Sequence, residues 1–343
     1  MKRVLITGGA GFIAHHLIHY LIKNTNWEIV SLDRLDYSGN LNRLNNIMSN
    51  LEETDKKRLK VVFHDLKSEI NPWIRKEIGD INIILHLAAG SHVDRSIDYP
   101  LEFVMDNVVG TANILEYARI ISNSNNLERF IYFSTDEIFG PAPSGIDYKE
   151  NDRYNSTNPY SATKAGGEEL AVAYENTYGL PIYITHTMNV FGERQHPEKF
   201  IPMCIKRIRD GEIVTIHSDK SKKIPGSRHY IHAKDVSEAI HFLLTNNINH
   251  GVDYGGAKCP KFNIVGSEEL NNLELAQIIA NCQNKDLKYE MVDFHSSRPG
   301  HDLRYSLSGE KMKKLGWQPS IKLTERIKQV VERCLINQNW IEL

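Results

Sequence analysis

The sequence predicts an α/β fold, a doubly wound parallel sheet with a smaller C-terminal lobe, on three observations. Short apolar runs alternate with longer helix-period segments from the first residues onward. Most of these runs are apolar at successive positions, as parallel strands covered by helices on both faces must be. The first run passes directly into a glycine-rich turn and then a helix. Alternation of this kind implies right-handed crossovers between neighbouring strands.

The expected strands are, in order, Val4–Thr7, Glu28–Asp33, Leu59–Asp65, Ile81–Ala88, Arg129–Thr135 and Pro181–Met188. Between them FIAHHLIHYLIKN, NVVGTANILEYARIISN and YSATKAGGEELAVAYENTYG carry helical periodicity. After about Met188 the rhythm changes. The charged, Gly- and Pro-containing FGERQHPEKFIP and DKSKKIPGSRHY read as loops, and LNNLELAQIIANCQ and LTERIKQVVERCLIN as helices of the lobe. The division expected is 1–188 for the sheet, with about 229–250 returning to it, and 189–228 plus 251–343 for the lobe.

Composition narrows the function classes. The 343 residues are 41% hydrophobic and 24% charged, ordinary globular usage. Forty-one Lys and Arg against 43 Asp and Glu leave a net charge of −2, no footprint for nucleic acid or an anionic membrane. Cys204, Cys259, Cys282 and Cys334 are scattered without a CxxC, as expected of reduced thiols in a cytoplasmic protein. No apolar run is long enough for a bilayer, and MKRVLITGG enters a strand with no room for a signal peptide. His15 and His19 are four apart on a helix, but no third ligand accompanies them, so no metal site is expected.

The turn TGGAGFIAHHL, Thr7 to Leu17, sets Gly8, Gly11 and Ala14 in a G-x-x-G-x-x-A pattern between strand and helix. Glycines there let backbone N–H groups approach a pyrophosphate at the helix N-terminus, the arrangement of a Rossmann-type site. Asp33, 25 residues after Gly8, closes the second strand, where a carboxylate binds ribose hydroxyls and repels a 2′-phosphate. NAD is favoured over NADP on that ground, and the neighbouring Arg34 weakens the preference.

Two further stretches carry chemistry. In NPYSATKAGGEEL, Tyr160 and Lys164 share a helix face, where an ammonium would lower the pKa of a phenol and make it a base for a sugar hydroxyl. In FSTDEIFG, Thr135, Asp136 and Glu137 stand where a buried strand stops. Ligands bind outside the carboxyl ends of strands in open α/β sheets, so the two acids read as a working pair. Adjacent carboxylates push their protonation apart, which suits one to act as base and the other as acid.

GGAGFI, HLAAGSHVDRSI, STDEIFG, NPYSATKA, PEKFIP, RPGHDLRY and LGW together resemble the nucleoside-diphosphate-glucose 4,6-dehydratases of the extended short-chain dehydrogenase/reductase superfamily, above all the dTDP-glucose enzymes. The resemblance covers nearly the whole chain, and T-D-E is its most discriminating part. It implies a cycle on one bound NAD. Tyr160 takes the C4 hydroxyl proton as hydride leaves C4, with Lys164 and Thr135 in support. Glu137 removes the C5 proton, Asp136 protonates the departing C6 hydroxyl, and hydride returns to C6 while C5 is reprotonated, giving a 4-keto-6-deoxy sugar. The resemblance further implies that Gly8, Gly11, Phe12, Ile13, Asp33, Arg34, Asp65, Leu66, Ala88, Ala89, Asn107, Tyr160 and Lys164 serve the cofactor. Ser91, His92, Asn189, Glu198, Lys199, Arg228, Asn263 and His301 would serve the substrate, making the lobe a nucleotide-sugar-binding one.

By the same resemblance the helices at Asn107–Ile121 and Tyr160–Tyr178 are expected to form a four-helix bundle in a homodimer. Departures cluster on the substrate side: Gly90 where Glu or Gln is usual, Glu193-Arg194-Gln195, and KKIPGSRHYIH. They leave open the base (dTDP, UDP or another) and the exact hexose. A 4-epimerase or uronate decarboxylase on the same scaffold is the alternative within enzymes, and an NAD-binding sensor the one outside them.

Overall fold

In the computed structural model, which describes residues 1–36, 38–123, 127–246, 248, 259–293 and 303–342, six expected strands form and a seventh joins them. They are β1 (Arg3–Thr7), β2 (Glu28–Asp33), β3 (Leu59–Phe63), β4 (Ile83–His86), β5 (Arg129–Thr135) and β6 (Ile182–Thr187). Next along the chain come β7 (Asn189–Phe191), β8 (Val214–Ser218), β9 (Ser227–His232), β10 (Lys261–Ile264), β11 (Glu269–Asn271) and β12 (Tyr289–Asp293). The large sheet has the order β10-β6-β5-β4-β1-β2-β3, every pair parallel. The third strand ends at Phe63, short of the expected Asp65, because Asp65 turns the chain by accepting from the Lys67 N–H at 3.0 Å.

Why the strands are apolar at successive positions is visible in the packing. Val4, Ile6, Ile29, Ile131 and Phe133 meet one helical layer. Leu5, Val30, Leu32, Phe130 and Tyr132, one position out of phase, meet the other. Helices Phe12–Asn24 and Ala233–Thr245 cover the first face with Leu17, Ile18, Val236 and Ile240. Helices Gly110–Ser122 and Pro159–Tyr178 lie on the second. Each buried Ile, Leu, Val or Phe contributes about 1.5–3 kcal/mol.

One assignment is corrected. The sequence places 251–343 wholly in the smaller lobe, whereas Lys261–Ile264 completes the large sheet beside β6, with Phe262 and Ile264 buried in its core. Met312 and Trp317 pack into the same core. A four-residue strand with one lysine gives no periodicity that separates it from a lobe element; its pairing is a tertiary fact.

The lobe is built on β7, β9 and β11, with β8 and β12 paired apart from them. Helices Phe200–Asp210, Asn272–Cys282 and Leu323–Ile336 enclose its own core around Ile205, Ile216, Ile279 and Val331. Cys204 and Cys334 are buried in that core, and all four cysteines are free. Among the described residues no helix is long and apolar enough to cross a membrane.

The last helix is tied to the first layer by a buried ion pair: Arg326 donates to both oxygens of Asp235, with Nε at 3.2 Å from Oδ2. The two side chains are 5% and 3% exposed. Arg326→Met should therefore lower stability by about 3–5 kcal/mol, read as a lower urea midpoint at unchanged slope, because it strands a buried carboxylate.

Candidate active site

The sheet order reverses between β4 and β1, so the chain leaves these neighbouring strands in opposite directions and opens a crevice at their carboxyl ends. A cleft of about 860 Å³ lies there. At its floor Gly8 has φ +67, and a Cβ on it would stand 2.9 Å from the backbone of Ala88. Only glycine fits this cradle, and Gly11, Phe12 and Ile13 continue the lining into the helix N-terminus. Such a floor fits a dinucleotide's pyrophosphate.

At the end of β2 the Asp33 carboxylate accepts from the Ala10 and Leu35 N–H groups at 2.9 and 2.8 Å. Burial pushes its pKa up, and those two bonds oppose the shift. Arg34, Asp65 and Leu66 complete this end of the cleft. Ala88, Ala89, Ser91 and His92 line the middle from the loop after β4. That loop is held by Asn107, whose Oδ1 accepts from the Gly90 N–H at 2.8 Å and whose Nδ2 donates to the Gly90 carbonyl at 3.1 Å and to Thr163 Oγ1 at 2.9 Å. Asn107 is buried outside the cleft lining, and its side chain holds the loop. It projects from a π-helical turn, Met105–Val109, set in the helix that ends at Ser122. Gly90 has a local reason: a Cβ there would stand 3.1 Å from the Phe103 ring.

The acids lie at the end of β5. Thr135 donates to Asp136 Oδ1 at 3.1 Å, and its oxygen accepts from the Glu137 N–H at 3.4 Å. Asp136 Oδ2 is buried with no hydrogen-bond partner. Burial pushes Asp136 up to about 6, against the pull of Arg228 and the Thr135 hydroxyl. Burial and then the Asp136 charge push Glu137 up to about 7, against Asn158, Arg228 and Lys199. The pair thus shares about one proton near neutral pH. Asn158, absent from the expected site, caps helix Pro159–Tyr178 by accepting from the Ser161 N–H at 2.8 Å and donates to Glu137 Oε2 at 3.2 Å. The N-P pair marks the cap in the sequence; nothing there marks the contact with Glu137.

Helix Pro159–Tyr178 brings Tyr160 and Lys164 into the cleft lining beside these acids. The helix sits close because Gly167 has no side chain; a Cβ would stand 2.5 Å from the Tyr132 hydroxyl and 2.6 Å from the Asn107 carbonyl. Burial, then Glu137, push the Tyr160 phenol well up, and a hydrogen bond with Thr135 opposes them. The spacing on the helix would set the ammonium to act on the phenol. Instead Lys164 donates to the Phe133 carbonyl and lies 4.5 Å from the Tyr132 ring centre. Burial brings Lys164 down to about 7, while Glu168 raises it. Glu168, one helical turn on, is fully buried and accepts from Tyr154 Oη, from Lys261 Nζ at 2.9 Å and faces His186 Nε2 at 3.1 Å. Its partners come from three remote segments, so no sequence pattern reveals it.

On the lobe side Asn189, Lys199, Gln195 and His196 line the cleft, and Arg43 lines it from helix Leu41–Ser49 of the sheet side; the sequence singles out neither His196 nor Arg43. Glu198 lies outside the lining, between His92 at 3.7 Å and His196 at 3.6 Å. Arg228 also lies behind the lining, donating to the Ser227 and Leu303 carbonyls at 2.7 and 2.6 Å over the Tyr305 ring. Its charge still reaches the acid pair. Asn263 is corrected. It is buried in β10, donates to the Tyr148 and Ser308 carbonyls at 3.1 and 3.2 Å and faces His186 Nδ1 at 2.9 Å, so it holds the sheet edge and does not reach the cleft. His301 lies outside the described residues.

The chain matches the family described as GDP-mannose 4,6 dehydratase over residues 5–330. It is 33% identical to a dTDP-glucose 4,6-dehydratase of Salmonella typhimurium over 99% of this chain and 94% of that one. It is 35% identical to a trifunctional UDP-glucose 4,6-dehydratase/UDP-4-keto-6-deoxy-D-glucose 3,5-epimerase/UDP-4-keto-L-rhamnose-reductase of Arabidopsis thaliana, over 99% of this chain but 48% of that protein, about half its length. The fold superimposes on a dTDP-glucose 4,6-dehydratase of Streptomyces venezuelae, crystallised with NAD, at a TM-score of 0.84 and 32% identity, covering 99% of each chain.

Proposed function

The chain belongs to the GDP-mannose 4,6 dehydratase family of the short-chain dehydrogenase/reductase superfamily, and on that premise we propose that it dehydrates a nucleoside-diphosphate glucose to its 4-keto-6-deoxy derivative. The observation that carries the reading is the acid pair: Asp136 and Glu137 share a proton at the strand end, and Asp136 Oδ2 is buried and unpaired beside Tyr160. The sheet side holds the cofactor and the lobe the sugar nucleotide. Asp33 and the Gly8 cradle hold NAD, which when bound accepts hydride from C4 and returns it to C6.

The residues of the chain supply the proton steps. Tyr160 accepts the C4 hydroxyl proton as a phenolate, so its own proton must first leave to solvent, a step that burial and Glu137 oppose and the hydrogen bond with Thr135 favours. The resulting 4-ketone acidifies the C5–H, which Glu137 removes, and C5 regains a proton when hydride reaches C6. Asp136 gives a proton to the C6 oxygen as it leaves. Elimination needs the proton on Asp136 and the negative charge on Glu137, and the C6 hydroxyl meeting the unpaired Asp136 Oδ2 is the contact that would hold it there. The reading places the enzyme in the cytoplasm, on its substrate class and four free cysteines. It makes the chain a homodimer through helices Gly110–Ser122 and Pro159–Tyr178, next to which Leu101, Val104 and Met105 are exposed.

The test is incubation with dTDP-glucose and UDP-glucose, followed by alkali-induced absorbance of a 4-keto sugar. A galactose-configured nucleotide with its C6 hydroxyl intact would establish a 4-epimerase and end this reading. The pH dependence follows from the pair. Below about 6 both carboxyls carry protons and no base remains; above about 7 neither does and no acid remains. The rate should be bell-shaped, greatest between those values. Arg228→Gln should move both limbs to higher pH, because Arg228 pulls both carboxyls down.

A further inference from the structure

The dipeptide Asp33-Arg34 at the end of β2 carries opposite signals, a carboxylate suited to ribose hydroxyls and a guanidinium suited to a 2′-phosphate. A guanidinium has two edges that match a phosphate or carboxylate, one formed by both terminal nitrogens and one by Nε with a terminal nitrogen. Both edges of Arg34 are filled. Nη1 and Nη2 donate to the two oxygens of Asp106 at 2.5 and 2.8 Å. Nε donates to Asp36 Oδ2 at 2.6 Å, and Nη2 meets the same carboxylate. Nη1 also lies 3.5 Å from Asp65 Oδ1. Although burial works against its charge, Asp106 and then Asp36 hold Arg34 cationic more firmly than usual.

Asp106 comes from the π-helical turn that carries Asn107, and its side chain is 10% exposed. The turn aims Asn107 at the loop after β4 and Asp106 across the cleft at Arg34. Lys67 Nζ lies 3.4 Å from Asp106. Asp36, Asp65 and Asp106 therefore gather around Arg34 and Lys67, with Asp33 and Arg43 alongside at this end of the cleft.

We propose that Asp106 is a cofactor-specificity residue: by occupying Arg34 end-on it withholds that guanidinium from a 2′-phosphate and keeps the site selective for NAD over NADP. The inference rests on the cleft holding a dinucleotide. It adds that Asp33 alone does not set the selectivity, which is divided between Asp33 and a residue 73 positions further along the chain.

The test is competitive loading. Wild-type, Asp106→Asn and Asp106→Asn/Arg34→Ala proteins are equilibrated with equal excesses of NAD and NADP, freed of unbound nucleotide, and denatured to release and quantify what they hold. Asp106→Asn should raise the bound NADP:NAD ratio at least about tenfold, since one negative charge is removed and one guanidinium edge is opened towards a dianion. The double variant should return towards the wild-type ratio. An unchanged ratio in Asp106→Asn overturns the inference, and so does a gain that persists without Arg34. Asp106→Ser, scored identically, stands in should the amide variant not fold. Recovery of no dinucleotide from the wild type would overturn the cofactor reading along with the inference, whereas recovery with an unmoved ratio would overturn the inference alone.

Discussion

Glu137→Gln is expected to oxidise the bound sugar at C4 and go no further. The amide keeps the side chain's volume and can still accept from Asn158, whose Nδ2 lies 3.2 Å from Oε2, so the strand end should hold its shape. What it loses is the base for the C5 proton. Loss of a positioned base costs about 10²–10⁴ in rate, and formation of the 4-keto-6-deoxy product should fall by that factor. Quenching stoichiometric enzyme with borohydride should then yield galactose beside glucose, because reduction of a 4-keto hexose delivers hydrogen to either face while C6 keeps its hydroxyl. Exchange of the C5 proton with heavy water should stop. Product at the wild-type rate would remove Glu137 from the role.

Tyr160→Phe is expected to fail one step earlier. The ring keeps its edge contact with Phe103, 6.5 Å between centroids, so packing is preserved while the hydroxyl that meets Thr135 is gone. Without a group to take the C4 hydroxyl proton, oxidation does not begin, and product formation should again fall about 10²–10⁴-fold. The same borohydride quench should give glucose only. The two variants are alike in lost product and opposite in trapped sugar, which orders the two residues along the reaction. Galactose from Tyr160→Phe would show that another group accepts the first proton.

Much of this site is legible in the sequence because its parts are local. Gly8, Asp33, Thr135, Asp136 and Glu137 sit at strand ends, and a strand end is marked by an apolar run stopping. Tyr160 and Lys164 share a helix face by spacing alone. The fold's parallel sheet follows from runs whose successive residues are both apolar, since each must meet a different helical layer. The sequence is less informative wherever a residue's partner is remote. Asn263, which the family resemblance implies for the substrate, is spent on Tyr148, Ser308 and His186. Lys164 stands at the right spacing yet donates to Phe133.

By itself, then, the sequence determined the strand ends, the glycine turn, the adjacent acids and the Tyr–Lys face, because each depends on residues within one or two turns of each other. Tertiary structure alone decided that Lys261–Ile264 completes the sheet, that Asn158 braces Glu137, that Glu168 lies buried behind Lys164 and that Asp106 occupies Arg34. Each of these is a pairing between segments distant along the chain. A hydrogen bond or ion pair is set by distance in space, and local periodicity carries no record of it.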